Sequence, residues 1–255
     1  MARDPDEIYE ETRKEGQRRL SRPLRELAAT AVLGGFDVAI GVIALVLAAG
    51  TVHGKVQELV GSIAFGIGFV FIVVGRSELF TENFLIPVAG LDQRRLGSWL
   101  KLGELWLVAL VLNILGGTLI AVIASSHHVL PQGSGEGFIK VAHHIAARDP
   151  LPSFLSAILA GALITVMTWF VEGAADSLGV RIVMAWIVGF VVAIGAFNHV
   201  VVVTIELVFG MRYGADIAVS QLLSNLGIAV AGNLVGGLLL VTFVRSVQAS
   251  ESAGS

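Results

Sequence analysis

Six apolar segments of membrane-spanning length constrain this chain more than any other feature of its sequence. They cover residues 28–49, 61–88, 102–124, 154–172, 181–209 and 225–244. A transmembrane helix needs about 20 apolar residues. Only 15% of this chain is charged, against about 25% in soluble domains. The sequence therefore predicts an all-α membrane protein with six transmembrane helices, whose surroundings are the lipid bilayer and which does not bind nucleic acid.

Charged residues divide the chain into three parts and orient it. We expect a cytoplasmic amphipathic segment at residues 1–27, a membrane domain at 28–245 and a cytoplasmic polar tail at 246–255. With the N-terminus inside, twelve lysine and arginine residues lie on the cytoplasmic side and four on the outer side, as the positive-inside rule requires. Both termini of this multi-pass protein are thus predicted to be cytoplasmic, in the inner or plasma membrane of the cell.

The two halves of the membrane domain match each other at a spacing of 120 residues. Asn113-Ile-Leu-Gly-Gly in the third segment matches Asn233-Leu-Val-Gly-Gly in the sixth, and the charged stretch 75–83 falls on residues 195–203. Inverted repeats with broken helices are typical of transporters with a central site. We therefore predict two inverted three-helix repeats in which the second and fifth transmembrane helices, TM2 and TM5, are broken. Asn113 and Asn233 are expected to hold backbone at these breaks.

Charged side chains inside the apolar segments mark the candidate site, because ionisable groups are costly in lipid and seldom idle there. The intramembrane charges are Asp37, Arg76, Glu78 and Glu82. Glu78 is expected to accept hydrogen bonds that hold the loop around it. Asp37 and Arg76 lie at similar depths if each helical residue adds about 1.5 Å, so we predict an ion pair between them.

Three motifs, in order along the chain, resemble the formate/nitrite transporter family. Ser77–Asn83 (SELFTEN) is similar to the ELFTGN-type loop of that family. Gly195–Val200 (GAFNHV) is similar to its GFEH break in the fifth helix, and Gly232–Gly237 (GNLVGG) to its sixth helix. The sequence resembles a divergent member of the family. At three positions the family usually has a small residue, a Gly and a Glu, respectively, and this chain has other residues. These positions are Arg76, Glu82 and Asn198.

The resemblance carries expectations about architecture and function. It implies an aquaporin-like fold and a homo-oligomer, a pentamer with one pore in each protomer. It also implies passage of small monovalent anions of weak acids, formate and nitrite among them. These properties follow from the resemblance and not from composition or spacing.

The resemblance also assigns residues to the pore. It places His199 in the fifth-helix break between two apolar constrictions, with Thr81 and Asn198 beside it as pore or selectivity residues. The cytoplasmic constriction would include Leu79 and Phe80. By its spacing alone, Phe65 is expected in the outer constriction.

The chemistry of an imidazole fits this assignment. A naked anion crosses an apolar constriction only at high cost unless it meets a donor or gains a proton. Imidazole exchanges protons near neutral pH, so His199 is expected to give the anion a hydrogen bond or a proton, with Thr81 orienting the ring. The sequence thus predicts a channel or transporter for a small weak-acid anion, linked to protons through a central histidine that faces a water-connected passage.

Other functions fit parts of the sequence. A proton-coupled carrier of a different small acid, or of a cation, could use Asp37, Arg76 and Glu82 as a relay. A neutral-solute channel of the aquaporin kind would share the architecture, although Asn-Pro-Ala signatures are absent. An enzyme is not expected, because His199 lacks the neighbouring nucleophile or ligands that hydrolysis requires. No cofactor or metal is expected either, since the histidine pairs 127–128 and 143–144 do not match a standard metal site.

Overall fold

A computed structural model of the chain describes residues 3–174 and 177–252, with side chains as far as residue 250. Within those ranges the regular secondary structure is entirely helical, with no β-strand. Residues 1–2 of the expected N-terminal segment and 253–255 of the expected tail lie outside the described residues. The prediction of an all-α protein is confirmed.

Eleven α-helices follow one another along the described chain, with a short 3₁₀ turn and a π-helical stretch between some of them. They are α1 (Pro5–Leu20), α2 (Leu24–Ala49), α3 (Val56–Gly75), the 3₁₀ turn Phe80–Phe84, α4 (Ile86–Ala89), α5 (Leu96–Ala124), α6 (Ser134–Ala146), α7 (Pro150–Gly173), α8 (Leu178–Ile194), α9 (Val200–Arg212), α10 (Val219–Leu234), the π-helical stretch Val235–Thr242 and α11 (Phe243–Ser252).

Five helices in the described ranges are long and apolar enough to cross a bilayer. These are α2, α3, α5, α7 and the continuous helix Val219–Ser250, which runs from α10 through the π-helical stretch into α11. The predicted fifth apolar segment instead forms two shorter helices, α8 and α9, which are separated by the non-helical residues 195–199. Large apolar side chains such as Leu107, Leu159 and Leu240 are exposed on the outer faces of the spanning helices. Such a surface suits lipid, so the chain is a multi-pass membrane protein.

The helix bundle has two ends, which we call the α1 end and the α6 end. At the α1 end, Gly16 of α1 packs against the backbone of Ile86 and Gly90 so closely that a Cβ on Gly16 would lie 2.1 Å from the Ile86 carbonyl oxygen. At the α6 end, Phe138 stacks on Phe209 with ring centroids 4.4 Å apart and on Tyr213 at 5.2 Å. The bundle is thus capped on each side by a helix that does not cross it.

The sequence analysis anticipated one of the two capping helices, α1, but not the other, α6. Pro5 at the first position of α1, acidic residues in its first turn and Arg18 and Arg19 in its last turn all favour a helix there. The amphipathic segment expected at the N-terminus accordingly begins with this helix. By contrast, α6 was not predicted, because it lies outside the six apolar segments.

Candidate functional site

Two helices end at equivalent points of the repeat with the same unusual backbone conformation. Arg76 follows α3 with φ 56°, and Ala196 follows α8 with φ 45°. A left-handed conformation costs an L-residue roughly 1 kcal/mol, so both turns must be stabilised by their surroundings. The two residues are 120 positions apart, which is the spacing of the sequence repeat. Each turn releases backbone groups from its helix, and these groups need other partners.

Asn113 of α5 satisfies the released backbone after α3. Its Oδ1 accepts a hydrogen bond from the Phe80 backbone N–H at 2.9 Å. Its Nδ2 donates to the Ala31 carbonyl at 2.7 Å and to the Glu78 carbonyl at 2.8 Å. One buried amide therefore ties the loop to both α2 and α5.

Asn233 of α10 has the same arrangement in the second half. Its Oδ1 accepts from the Val200 backbone N–H at 2.9 Å, and its Nδ2 donates to the Ala157 carbonyl at 2.8 Å and the Asn198 carbonyl at 3.0 Å. Both asparagines thus lie where the sequence analysis expected them, next to non-helical backbone. Each amide uses its acceptor once and its donors twice, as a buried amide requires.

The two non-helical loops meet at Thr81 and His199. Thr81 Oγ1 and His199 Nε2 are 2.7 Å apart, and both side chains are completely buried. His199 Nδ1 accepts a hydrogen bond from the Val202 backbone N–H at 3.3 Å, so the imidazole also caps the N-terminus of α9. The structure therefore brings together the two residues that the sequence analysis placed at the centre of the site.

These two contacts fix the tautomer of the ring. Because His199 Nδ1 is an acceptor, the neutral ring carries its only proton on Nε2 and donates it to Thr81 Oγ1. A neutral imidazole in this state can offer a hydrogen bond but cannot give up its proton. Transfer of a proton from His199 first requires protonation at Nδ1, which removes the acceptor for Val202.

Apolar side chains enclose the Thr81–His199 pair. Leu79 and Phe80 precede Thr81 in the loop after α3, and both are buried. Phe65 and Phe69 of α3 are also buried, and the Phe69 ring lies edge-on to the imidazole with centroids 6.1 Å apart. The sequence analysis named Leu79, Phe80 and Phe65 but missed Phe69, which lies one helical turn after Phe65.

A cavity lies on each side of the enclosed pair. The α1-end cavity measures about 360 Å³ and is lined by Glu82, the neighbour of Thr81. The α6-end cavity measures about 210 Å³ and is lined by Ser153 and Asn225. Neither cavity is lined by His199 or Thr81, so the expectation that the ring faces a water-connected passage is not met in this structure. Both side chains of the central pair are instead completely buried.

Glu78 is the most deeply buried charge in the site, and helix α1 supplies its partners. Its Oε1 accepts a hydrogen bond from Arg19 at 2.9 Å, and its Oε2 accepts one from Arg22 at 2.6 Å. Only 1% of the Glu78 side chain is exposed. Arg19 also donates to Asn83 Oδ1 at 3.1 Å and lies 3.9 Å from Glu82 Oε2. Residues before the membrane domain are therefore part of the site.

This packing shifts the pKa values of two charged groups on α1, Arg19 and Glu15. Burial alone would lower the pKa of Arg19, but the nearby carboxylates of Glu78, Glu82 and Glu15 raise it above its usual range. Burial would likewise raise the pKa of Glu15, yet its hydrogen bonds and ion pairs with Arg18 and Arg19 lower it overall. Both groups are held in their charged forms.

The predicted ion pair between Asp37 and Arg76 is wrong. Asp37 Oδ2 instead accepts a short hydrogen bond from Ser77 Oγ. Arg76 is exposed and forms no ion pair within 4.0 Å anywhere in residues 3–174 or 177–250. Equal depth in the membrane therefore does not bring the two charges together, because the neighbouring residue Ser77 is the partner of the Asp37 carboxylate.

Amide and hydroxyl groups dominate the site at the α6 end. Asn198 and Asn225 form a reciprocal amide pair, with N–H···O distances of 3.1 and 3.3 Å. The Asn198 backbone N–H donates to Ser156 Oγ at 3.0 Å. Arg148 donates to the same hydroxyl at 3.1 Å and to the Ala196 carbonyl at 3.0 Å. Asn198 thus lies beside His199 but directs its side chain towards α10.

Sequence reasoning missed several residues that contact the site. Arg19 and Arg22 were counted only as topological charges, although their spacing of three residues could have indicated a common partner. Arg148 was likewise counted only for topology, and Asn225 was not singled out. Glu206 lies in α9, two helical turns after His199, and was visible as an acidic residue inside the fifth apolar segment.

Comparison with known protein families gives one match over most of the chain. The family model described as "Formate/nitrite transporter" matches residues 6–247. A curated relative is the "Inner membrane protein YfdC" of Escherichia coli (strain K12). It is 27% identical over 252 residues, which cover 94% of this chain and 77% of the relative.

Comparison with solved structures gives the same fold. An "FNT family ion channel" superposes with a TM-score of 0.80 at 18% identity, covering 94% of this chain and 98% of the other. A "Pentameric formate channel with formate bound" superposes with a TM-score of 0.74 at 19% identity, covering 88% of this chain and 96% of the other. At these identities the likeness concerns the fold.

Proposed function

The chain belongs to the formate/nitrite transporter family, and from that premise we propose that it conducts a small monovalent weak-acid anion of the formate or nitrite type. It is a transporter-family protein and not an enzyme. The observation that carries the proposal is the buried contact of 2.7 Å between His199 Nε2 and Thr81 Oγ1. This buried contact supports a passage in which a polar group at the junction of the two loops meets the anion.

We propose that the membrane domain has six transmembrane helices in two inverted repeats, with an aquaporin-like arrangement. In this reading TM2 comprises α3, the loop and α4, and TM5 comprises α8, the loop and α9. The left-handed residues Arg76 and Ala196 and the two asparagine clamps, each 120 residues apart, support the repeat. Residues 1–27, 28–245 and 246–255 remain the proposed N-terminal segment, membrane domain and tail.

His199 acts first as a hydrogen-bond donor in the proposed mechanism. An anion that reaches the centre displaces Thr81 Oγ1 as the partner of the Nε2–H, or shares that proton with it. This bond lowers the cost of holding a negative charge among Leu79, Phe80 and Phe69. Removal of water from the centre makes each remaining hydrogen bond to the anion stronger than it is in bulk solvent.

The proton linkage requires a second step. A proton that reaches the ring at Nδ1 breaks the cap on Val202 and makes the imidazole a cation. The cation then transfers its Nε2 proton to the anion, which leaves a neutral ring with its remaining proton on Nδ1. The ring accepts the hydrogen bond of the Val202 N–H again only after it has lost the Nδ1 proton and regained one on Nε2. The anion leaves as the uncharged acid, which crosses the second constriction at lower cost.

Glu82 and Asp37 favour a proton-coupled carrier as the second candidate. Glu82 is buried next to Thr81 and lines the α1-end cavity, and Asp37 holds the loop through Ser77. A carboxyl group beside the passage can relay protons to the centre. The carrier would use the same centre for a different small acid.

Assembly and location complete the proposal. The pentameric formate channel with the same fold supports a homo-pentamer with one pore in each protomer. The Escherichia coli relative named as an inner membrane protein supports an inner or plasma membrane location. We propose that the α1 end and both termini are cytoplasmic, as the distribution of lysine and arginine requires.

The experiment that tests the function is a flux measurement. Purified protein in proteoliposomes should take up radiolabelled formate or nitrite faster than acetate, at a rate that depends on the pH gradient. His199→Asn should keep the helix cap, because Asn is a favoured N-cap residue, but it cannot exchange protons. We expect this variant to assemble normally and to lose the dependence of anion flux on the pH gradient.

The outcomes separate the two parts of the proposal. Flux of His199→Asn that still follows the pH gradient would show that protons do not pass through the imidazole. Absence of formate and nitrite flux in the unmodified protein, under conditions in which another acid is carried, would favour the second candidate.

A further inference from the structure

We propose that the α1-end cavity binds a dianionic oxyanion of the phosphate type, and that this ligand obstructs the passage of the monovalent substrate. The obstruction rests on the channel function proposed above, whereas the binding site itself does not. The ligand is identified by its chemistry, namely a compact group with two negative charges and several acceptor oxygens.

The cavity is a built compartment between α1 and four other helices. Its walls come from α1, from the ends of α3 and α7, from the first residue of α4 and from the first turn of α8, and the loop after α3 contributes Glu82. Its volume of about 360 Å³ is roughly ten times the share of one water molecule in the liquid. The compartment therefore has room for an oxyanion together with several water molecules.

Positive charge exceeds negative charge around the cavity. Six cationic side chains line it, against four carboxylates. The cations are Lys14, Arg18, Arg19, Arg22, Arg76 and Arg181, and the carboxylates are Glu11, Glu15, Glu82 and Glu172. Even with the buried Glu78 beneath the cavity, the cations remain in excess by one, so an additional anion is electrostatically favoured.

One buried guanidinium donor in this lining has no partner among the residues that the structure describes. Arg181 Nε forms no hydrogen bond or ion pair there, whereas Arg22 Nε, which also forms no hydrogen bond, is paired with Glu26 Oε1 at 3.5 Å. The Arg76 and Arg181 side chains form no ion pair within 4.0 Å among the residues that the structure describes. Buried donors without partners are costly, and a small rotation of these guanidinium groups towards a bound oxyanion removes that cost.

The carboxylates of the lining form their ion pairs with cations other than Arg76 and Arg181. Glu11 is paired with Lys14, and Glu15 with Arg18 and Arg19. Glu82 lies 3.9 Å from Arg19. Glu172 interacts electrostatically with Arg19, Arg181 and Arg76 but approaches none of them within 4.0 Å among the described residues. Arg76 and Arg181 are therefore the groups most open to a ligand.

Ligand charge decides which anions stay in the cavity. Coulomb attraction doubles when the ligand charge doubles at the same distance. Guanidinium groups also bind phosphate oxygens through paired hydrogen bonds. A monovalent substrate therefore passes through the cavity, whereas a phosphate-type dianion is retained between Arg76 and Arg181, close to Glu82 and the loop that leads to Thr81.

Calorimetric titration of the purified full chain in detergent tests the binding site. At mildly alkaline pH, where a phosphate carries close to two charges, inorganic phosphate should bind saturably and nitrate at matched ionic strength should not. Arg76→Gln and Arg181→Gln should each weaken phosphate binding about tenfold, because each removes hydrogen bonds to a charged group. Arg94→Gln, an exposed residue outside the cavity, is the matched control and should bind like the unmodified chain.

A second arm distinguishes a free oxyanion from a lipid headgroup. Phosphatidic acid carries the same phosphate group, so binding of phosphatidic acid but not of inorganic phosphate would assign the cavity to a membrane lipid. Absence of saturable binding by both ligands would overturn the site. Equal affinities in the two arginine variants and in Arg94→Gln would overturn it as well.

Flux measurements then test the obstruction. Phosphate on the α1 side of proteoliposomes should reduce formate flux of the unmodified protein, and Arg181→Gln should need about tenfold more phosphate for the same fractional reduction. If phosphate binds but formate flux is unchanged, the proposed obstruction is wrong and the proposed binding site is retained. Protein that binds phosphate but carries neither formate nor nitrite would instead contradict the proposed function.

Discussion

Glu78 shows how a single charge is kept inside this bundle. Two arginines from outside the spanning helices reach its two carboxylate oxygens, and its own carbonyl accepts from Asn113 Nδ2. A buried carboxylate needs opposite charge and hydrogen bonds to be tolerated. The side chains of Arg19 and Arg22 are themselves largely buried, so α1 and the loop after α3 depend on each other.

Glu78→Gln should therefore destabilise the protein strongly. The change leaves Arg19 and Arg22 buried without their carboxylate, and breaking one side of a buried ion pair costs about 3–5 kcal/mol. Thermal unfolding of the detergent-solubilised protein should show a clearly lower Tm. Glu10→Gln removes an exposed ion pair with Arg13 and should leave the Tm nearly unchanged. Equal unfolding temperatures for the two variants would contradict a structural role of Glu78.

Glu15 makes the stability of α1 sensitive to acid. Its pKa in the folded protein is lowered from 4.5 because, although burial raises it, hydrogen bonds and ion pairs with Arg18 and Arg19 lower it more. A lowered folded pKa means that the stabilisation is present above the unfolded pKa and is lost as pH falls through the folded pKa. Melting curves recorded from neutral pH to below pH 4.5 should fall less steeply for Glu15→Gln than for the unmodified protein. Parallel curves would show that Glu15 does not contribute.

At the scale of helices, the sequence predicted those features that depend on its composition and on its repeats. The apolar segments, the interruptions at 75–83 and 195–203 and the matched asparagines are all visible in the residues. Depth along two helices does not show which side chain of a loop meets the neighbouring helix, which is why Asp37 was assigned to Arg76 instead of Ser77. Helix α6 was missed because it packs on α9 from outside the apolar segments, through only a few buried residues such as Phe138.

Gly161 of α7 lies where α7 and α10 approach each other closely, and its substitution tests whether this close approach is required. A Cβ at this position would lie 2.2 Å from the backbone oxygen of Asn233, and backbone cannot move aside as a side chain can. Gly161→Ala should push α7 from α10, loosen the clamp on Val200 and cost about 1–3 kcal/mol, as overpacking usually does. Thermal unfolding measures this cost.

Gly103 of α5 provides the control for that substitution. Nothing lies within 4 Å of a Cβ built on Gly103, and alanine is favoured over glycine inside a helix. Gly103→Ala should therefore leave the Tm unchanged or raise it. A similar loss of stability in both variants would show that the close contact at Gly161 is not the cause of the destabilisation.

For the whole molecule, the two ends of the bundle differ in charge as well as in shape. The α1-end cavity is lined by ten charged side chains, whereas the α6-end cavity is lined by amides, hydroxyls, apolar groups and Arg148. The two cavities share no lining residue and lie at opposite ends of the bundle. Orientation in the bilayer therefore decides which compartment meets the charged cavity.

Single-cysteine labelling can determine this orientation, because the natural chain contains no cysteine. Lys55 lies exposed between α2 and α3 and Arg94 exposed between α4 and α5, at opposite ends of the bundle. Twelve lysine and arginine residues fall on the same predicted side as Arg94 and four on the side of Lys55, so the positive-inside rule places Arg94 in the cytoplasm. A membrane-impermeant maleimide should label Lys55→Cys in intact cells and Arg94→Cys only after the cells are permeabilised. Labelling of Arg94→Cys in intact cells would reverse the orientation, and the phosphate-type ligand would then have to come from outside the cell.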